Sequence, residues 1–151
     1  ELKPKNLYGK SKLMAEQLGL SASSEMGLKV CVGRIFSFYH SSQKESFLFP
    51  NIVKRLKVED LSQIFKLNGG ESVRDISSAA CIVSKIVGLL DKDYVGIVNI
   101  GSGYETKIKE FVASVAKKLH KGEIMIESIN DDWSYLVADM DKYDNIISDK
   151  G

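Results

Sequence analysis

The stretch Leu28-Lys29-Val30-Cys31-Val32-Gly33-Arg34-Ile35-Phe36 constrains the fold more than any other part of the sequence. It is apolar and β-branched, it follows Gly27, and it gives way to polar residues from Ser37 to Glu45. A run of that length and composition reads as a buried strand. Within it, Cys31 reads as a small buried thiol, and Gly33 marks a close backbone approach. Before the strand, Leu7 to Glu25 reads as a helix, with Leu13, Ala15, Leu18 and Leu20 among good helix formers and Gly27 just past its end. Helices and strands go on alternating along the chain, which argues for an α/β fold.

Ser37 to Glu45 reads as a loop, and Phe47 to Lys57 has helical spacing through Phe47, Ile52, Val53 and Leu56. Gln63 to Leu67 is a short strand ended by the turn Asn68-Gly69-Gly70, and Val73 to Ile76 is extended. Ser77 or Ser78 caps a helix running to Leu90, whose expected apolar face is Ile82, Val83, Ile86, Val87 and Leu90. Gly96 to Ile100 is a strand. Thr106 is expected to cap a helix from Lys107 to Leu119, with Ile108, Phe111, Val112, Val115, Ala116 and Leu119 inward. Glu123 to Glu127 alternates as a strand, and Asp141 opens a short last helix with Tyr143, Ile146 and Ile147. No repeat and no linker divides the 151 residues, so residues 1–151 are read as one unit.

Hydrophobic residues make up 44% and charged residues 27%, which excludes a disordered tail, a collagen-like chain and a disulfide miniprotein. The 21 basic and 20 acidic residues leave a net charge of +1, so no net field favours nucleic acid or a membrane surface. No apolar run reaches the roughly 18 residues that span a bilayer, and no signal-peptide pattern is seen. Cys31 and Cys81 are isolated, with no C-x-x-C and no His at ligand spacing, which argues against structural zinc and fits a reducing cytoplasmic location. The carboxylates Asp131, Asp132, Asp139, Asp141 and Asp144 have no calcium-loop spacing.

The sharpest chemical feature is Tyr8-Gly9-Lys10-Ser11-Lys12. Tyr8 and Lys12 stand four apart, so on a helix they share one face. A free phenol ionises only near pH ~10, too high for efficient proton transfer at neutrality. A nearby ammonium favours the phenolate, so such a pair can pass a proton to or from a hydroxyl or carbonyl. Taken alone, the spacing also fits a surface tyrosine stacked on a lysine stem.

The context is more specific. Pro4 to Glu16 resembles the catalytic helix of the extended short-chain dehydrogenase/reductases, the nucleotide-sugar epimerases, dehydratases and ketoreductases, where the pattern is P-x-x-x-Y-G-x-S-K-x-x-x-E. Leu28 to Tyr39 resembles the family strand L-K-V-x-x-x-R-x-F-N-x-Y. Val73-Arg74-Asp75-Ile76 is similar to its R-D-[FY] turn, Val98 to Ile108 to its N-I-G-S-G-x-x-x-[ST]-I segment, and Val137 to Lys142 to its A-D-x-x-K stretch. The matches keep the family's order and spacing across nearly the whole chain. Several positions depart from the pattern. Ser37 replaces an Asn, His40-Ser41 replaces Gly-Pro, and Ala80-Cys81 replaces Asp-Asp. Asp132 fits the family's R-x-x-D stretch, but Ile129 stands where its phosphate-binding arginine would be. The glycine-rich phosphate loop and the Ser/Thr partner of the tyrosine are not among these residues. With no initiator methionine before Glu1-Leu2-Lys3-Pro4, the chain reads as excised from a longer protein.

The resemblance implies the C-terminal part of a Rossmann-like doubly wound parallel sheet plus a small substrate-binding α/β subdomain, with the dinucleotide-binding half absent. It implies NAD or NADP as cofactor, a nucleotide-sugar substrate and a homodimer. Tyr8 and Lys12 would be catalytic and, with Ser37, would touch the cofactor. Arg74 and Tyr39 would face the substrate. Arg74 would hold the diphosphate, since a guanidinium fork suits phosphate oxygens; the alternative is a structural ion pair with Asp75 or another carboxylate. Gly101-Ser102-Gly103 can be a phosphate cradle, but the resemblance makes it a strand-to-helix turn. His40 and His120 read as loop and helix-end residues, and Trp133 and Tyr135 as packing or substrate-edge contacts. The expected function is a 4-ketoreductase or 4-epimerase; the alternative is a non-catalytic binding or regulatory protein that keeps the fold. By itself the chain is expected to be inactive, with Leu13 and Leu18 exposed on the first helix.

Overall fold

Asn6 starts the first helix, its side chain accepting the Gly9 N–H at 2.8 Å, and the helix ends where Gly27 adopts a left-handed conformation at φ 68°. The computed structural model describes residues 4, 6–130 and 133–149, so Asp131 and Asp132 lie outside the described residues. In chain order the first elements are α1 (Leu7–Met26), β1 (Cys31–Ile35), β2 (Ser37–Tyr39), α2 (Leu48–Val58), β3 (Phe65–Asn68), β4 (Val73–Arg74) and β5 (Ile76–Ser78). There follow α3 (Ala79–Asp91), β6 (Gly96–Ile100), β7 (Thr106–Lys107), α4 (Ile108–Lys118), β8 (Ile126–Ile129), β9 (Tyr135–Leu136) and α5 (Asp141–Ser148).

The chain is α/β, as its alternation implies. β1 pairs in parallel with β6, from Cys31 beside Gly96 to Ile35 beside Ile100. β2 pairs in parallel with β5, Ser37 beside Ile76, and β3 with β8, Phe65 beside Ile126. β4 lies between β7, antiparallel, and β9, parallel. Two apolar clusters hold these pairs. In the first, α2 and α4 pack over β3 through Ile52, Leu56, Phe65, Leu67, Phe111, Val112, Val115 and Ala116. In the second, Ile82, Leu89, Val98, Ile100, Ala138, Met140 and Tyr143 join α3, β6 and α5. Gly33 sits where Ile100 leaves no room, since a Cβ there would meet its Cδ1 at 2.6 Å.

Several expectations are corrected. Ser37–Tyr39 is a strand rather than the start of a loop, because β5 offers it a parallel partner. The strand expected to be buried alternates between exposed and half-buried, and the Cys31 thiol is exposed, because β6 is its only pairing partner among the described residues. Thr106 caps nothing: it pairs with Arg74 in β7, and α4 begins at Ile108 with no side-chain cap. Ser78 does cap α3, accepting the Cys81 N–H at 3.2 Å. The buried face of that helix is Ile82 and Leu89, with Ile86 packed against them, while Val83, Val87 and Leu90 are exposed. On α1 Leu18 is exposed and Leu13 half-buried. Among the described residues no helix is long and apolar enough to cross a membrane.

Candidate active site

The β2–β5 pair opens onto a cavity of about 430 Å³ whose wall includes Ser37, Tyr39, Gln43, Phe49, Arg74 and Phe111. The Tyr39 ring lies 5.0 Å from that of Phe49 and 5.7 Å from that of Phe111, so the apolar cluster under α2 and α4 supplies the aromatic floor. The Ser37 hydroxyl makes no hydrogen bond among the described residues. Above the floor, Arg74 donates from Nη1 to the carbonyl oxygens of Val73 and Ser134, at 2.8 and 2.9 Å, and from Nη2 to Ser134 Oγ at 2.6 Å. Its Nε–H and one Nη2–H keep no acceptor among the described residues, and no carboxylate pairs with it. Ser134 is therefore the partner that sequence reasoning missed. It lies sixty positions away, with no local signal tying it to Arg74.

Asp75 does something else. It is fully buried, and its carboxylate accepts the backbone N–H groups of Ser102 and Gly103 and the Ser102 hydroxyl, each at 2.8 Å, plus the Ala138 N–H at 3.3 Å. The Gly101-Ser102-Gly103 turn thus spends the N–H groups of Ser102 and Gly103 on an internal carboxylate rather than on a phosphate. Gly101 is required by packing, because a Cβ there would collide with Asp75 Oδ2 and stand 2.8 Å from Ala138 Cβ.

Tyr8 and Lys12 lie together on α1, with Lys12 Nζ 5.4 Å from the Tyr8 ring centroid. Tyr8 is 71% exposed, and neither residue lines the cavity. One turn further along the same stripe stands Glu16, whose side chain is only 11% exposed. Its carboxylate accepts from both Nε and Nη2 of Arg34, at 2.8 and 2.6 Å. The hydrogen bonds from Arg34 hold the Glu16 carboxyl below the usual carboxylate range, against a smaller opposing effect of burial. Both residues fall on the quoted motif positions, but nothing in either motif alone says that they meet.

The remaining candidates sit outside this geometry. The His40 ring is held in its own turn, Nδ1 lying 2.6 Å from Ser42 Oγ. His120 takes a left-handed conformation just past α4. Trp133 and Tyr135 are exposed and tilt against each other at 6.4 Å, and Tyr135 donates to Glu105 at 2.7 Å.

The family model of GDP-mannose 4,6 dehydratase matches residues 1–145. The GDP-6-deoxy-D-mannose reductase of Pseudomonas aeruginosa is 32% identical over 117 residues, covering 75% of this chain and 38% of that protein. The structure of RMD from Pseudomonas aeruginosa complexed with NADPH shares the fold, with a TM-score of 0.83 at 22% identity over 96% of this chain and 50% of that one. The dTDP-glucose 4,6-dehydratase of Bacillus anthracis, in complex with NAD, gives a TM-score of 0.76 at 28% identity, covering 96% of this chain and 47% of that one. The chain thus spans about half the length of these solved relatives.

Proposed function

The chain belongs to the GDP-mannose 4,6-dehydratase family of extended short-chain dehydrogenase/reductases, and from that premise we propose that it carries the acid–base helix and substrate pocket of an NAD(P)-dependent nucleotide-sugar 4-ketoreductase or 4-epimerase. The curated relative is a reductase, which supports the ketoreductase form. The observation that carries the reading is Arg74: a guanidinium fork on the cavity wall, held by Ser134 and with no carboxylate on it among the described residues. Such a fork suits phosphate oxygens. The aromatic floor at Tyr39 suits the apolar faces of a nucleotide sugar.

The residues present fit a nicotinamide dinucleotide. Among the described residues the Lys12 ammonium makes no ion pair and the Ser37 hydroxyl no hydrogen bond, which leaves both for ribose hydroxyls, with Tyr8 exposed beside Lys12. When bound, that group supplies or accepts the hydride at C4 of the sugar. Tyr8 Oη gives a proton to, or takes one from, the C4 oxygen. Lys12 places a positive charge where negative charge develops on the phenol oxygen. Arg74 holds the diphosphate and so fixes the sugar's approach. Residues 1–151 act in this reading as one catalytic and substrate-binding unit, inactive alone, in a cytoplasmic homodimer.

A second reading is a binding protein that has kept the fold without the reaction. Ile129 in β8, at the position of the family's second phosphate arginine, favours it. Calorimetric titration with GDP-mannose tests the pocket. Arg74→Ala should weaken binding roughly tenfold or more, since a charge-assisted contact contributes about 1.5–3 kcal/mol. Unchanged affinity with a lowered melting temperature would make Arg74 a structural residue and the pocket reading wrong.

A further inference from the structure

Tyr8, Lys12 and Glu16 stand at i, i+4 and i+8, so they form one stripe along α1. An ammonium between a phenol ring and a carboxylate at these spacings has two neighbours to choose from. A full negative charge attracts it more strongly than the ring's quadrupole. Yet Lys12 lies over the Tyr8 ring and makes no ion pair among the described residues. The reason is on β1: Arg34 takes both oxygens of Glu16 in a fork, and the Glu16 side chain is only 11% exposed on a helix with no buried residue. We propose that Arg34 is a positioning residue for the acid–base pair, holding the Glu16 carboxylate away from Lys12 so that the ammonium stays with Tyr8.

The inference rests on the reading of Tyr8 and Lys12 as that pair, but it makes a separate claim about charge. A purely structural clamp has symmetric consequences: removing either partner undocks α1 equally. Holding a charge away is asymmetric. Arg34→Met leaves Glu16 charged and released, one helical turn from Lys12. Glu16→Gln removes the competing charge, whether or not Arg34 still bonds to it. The double variant has neither the clamp nor the competitor.

Nuclear Overhauser contacts between the Lys12 ε-protons and the Tyr8 ring, measured on this chain, separate the two. Arg34→Met should lose the greater part of the contact, Glu16→Gln should keep it, and the double variant should recover it. Equal loss in all three variants, or full retention in Arg34→Met, would overturn the proposal. The amide spectrum of α1 in Glu16→Gln and the double variant reports whether the helix stays folded. If α1 unfolds in both, the pair is a structural clamp and the proposal is wrong. In the protein that joins this chain to a dinucleotide-binding half, turnover should fall in Arg34→Met and return in the double variant. A Tyr8→Phe protein that keeps full turnover would sink the acid–base reading whatever the contacts show, so the two failures are distinguishable.

Discussion

At the scale of single residues, what the sequence can show depends on how far apart the partners lie. Tyr8 and Lys12 are legible because four residues of helix bring them together. Arg74 and Asp75 are adjacent, which suggests an ion pair, but the structure sends them apart: Arg74 to Ser134 and the cavity, Asp75 to the 101–103 turn. Those partners are separated by 27 to 63 positions, so no local pattern announces them. The burial of Asp75 yields a prediction. Asp75→Ala removes the acceptor shared by the N–H groups of buried Ala138, half-buried Ser102 and exposed Gly103. Each enclosed unpaired donor costs about 1–3 kcal/mol, so the variant should lose roughly 2 kcal/mol or more in urea unfolding. A loss below about 1 kcal/mol would mean that water or a shifted backbone replaces the carboxylate.

At the scale of elements, the regular helices were legible to within a residue or two, and the misread segments were those whose partner decides their state. Ser37–Tyr39 and Thr106–Lys107 are stretches of two or three residues, too short to show a strand pattern, that become strands because β5 and β4 lie beside them. The open face of α3, with Val83 and Leu90 exposed, looks in the sequence like a core face, because apolar spacing does not say which neighbour is present. α1 shows how an ion pair can dock an element that has no buried residue. The hydrogen bonds from Arg34 hold the Glu16 carboxyl below its ordinary range, so it stays ionised to lower pH than in the unfolded chain. The docking stabilisation is therefore present above the ordinary carboxylate range and is lost as pH falls through the depressed value. The protection of α1 amides, measured against their intrinsic exchange rates, should fall on acidification, and Glu16→Gln should remove that dependence. The same acid response in Glu16→Gln would assign the docking to other contacts.

At the scale of the whole molecule, the two apolar clusters support different parts of the chain. The cluster under α2, α4 and β3 floors the cavity through Tyr39, while the cluster of α3, β6 and α5 supports the parallel pair that Arg34 ties to α1. The α/β class and the family could be read from motif order alone. The cavity could not, because it is built from side chains of β2, α2, β4 and α4 that meet only in three dimensions. The account makes Tyr8 the proton carrier and little of the binding. The most direct test is nucleotide-sugar turnover by the protein that joins this chain to a dinucleotide-binding half, with and without Tyr8→Phe. The account predicts a fall of about 10²–10⁴-fold in kcat with dinucleotide affinity nearly intact. Turnover close to that of the unsubstituted protein would contradict it.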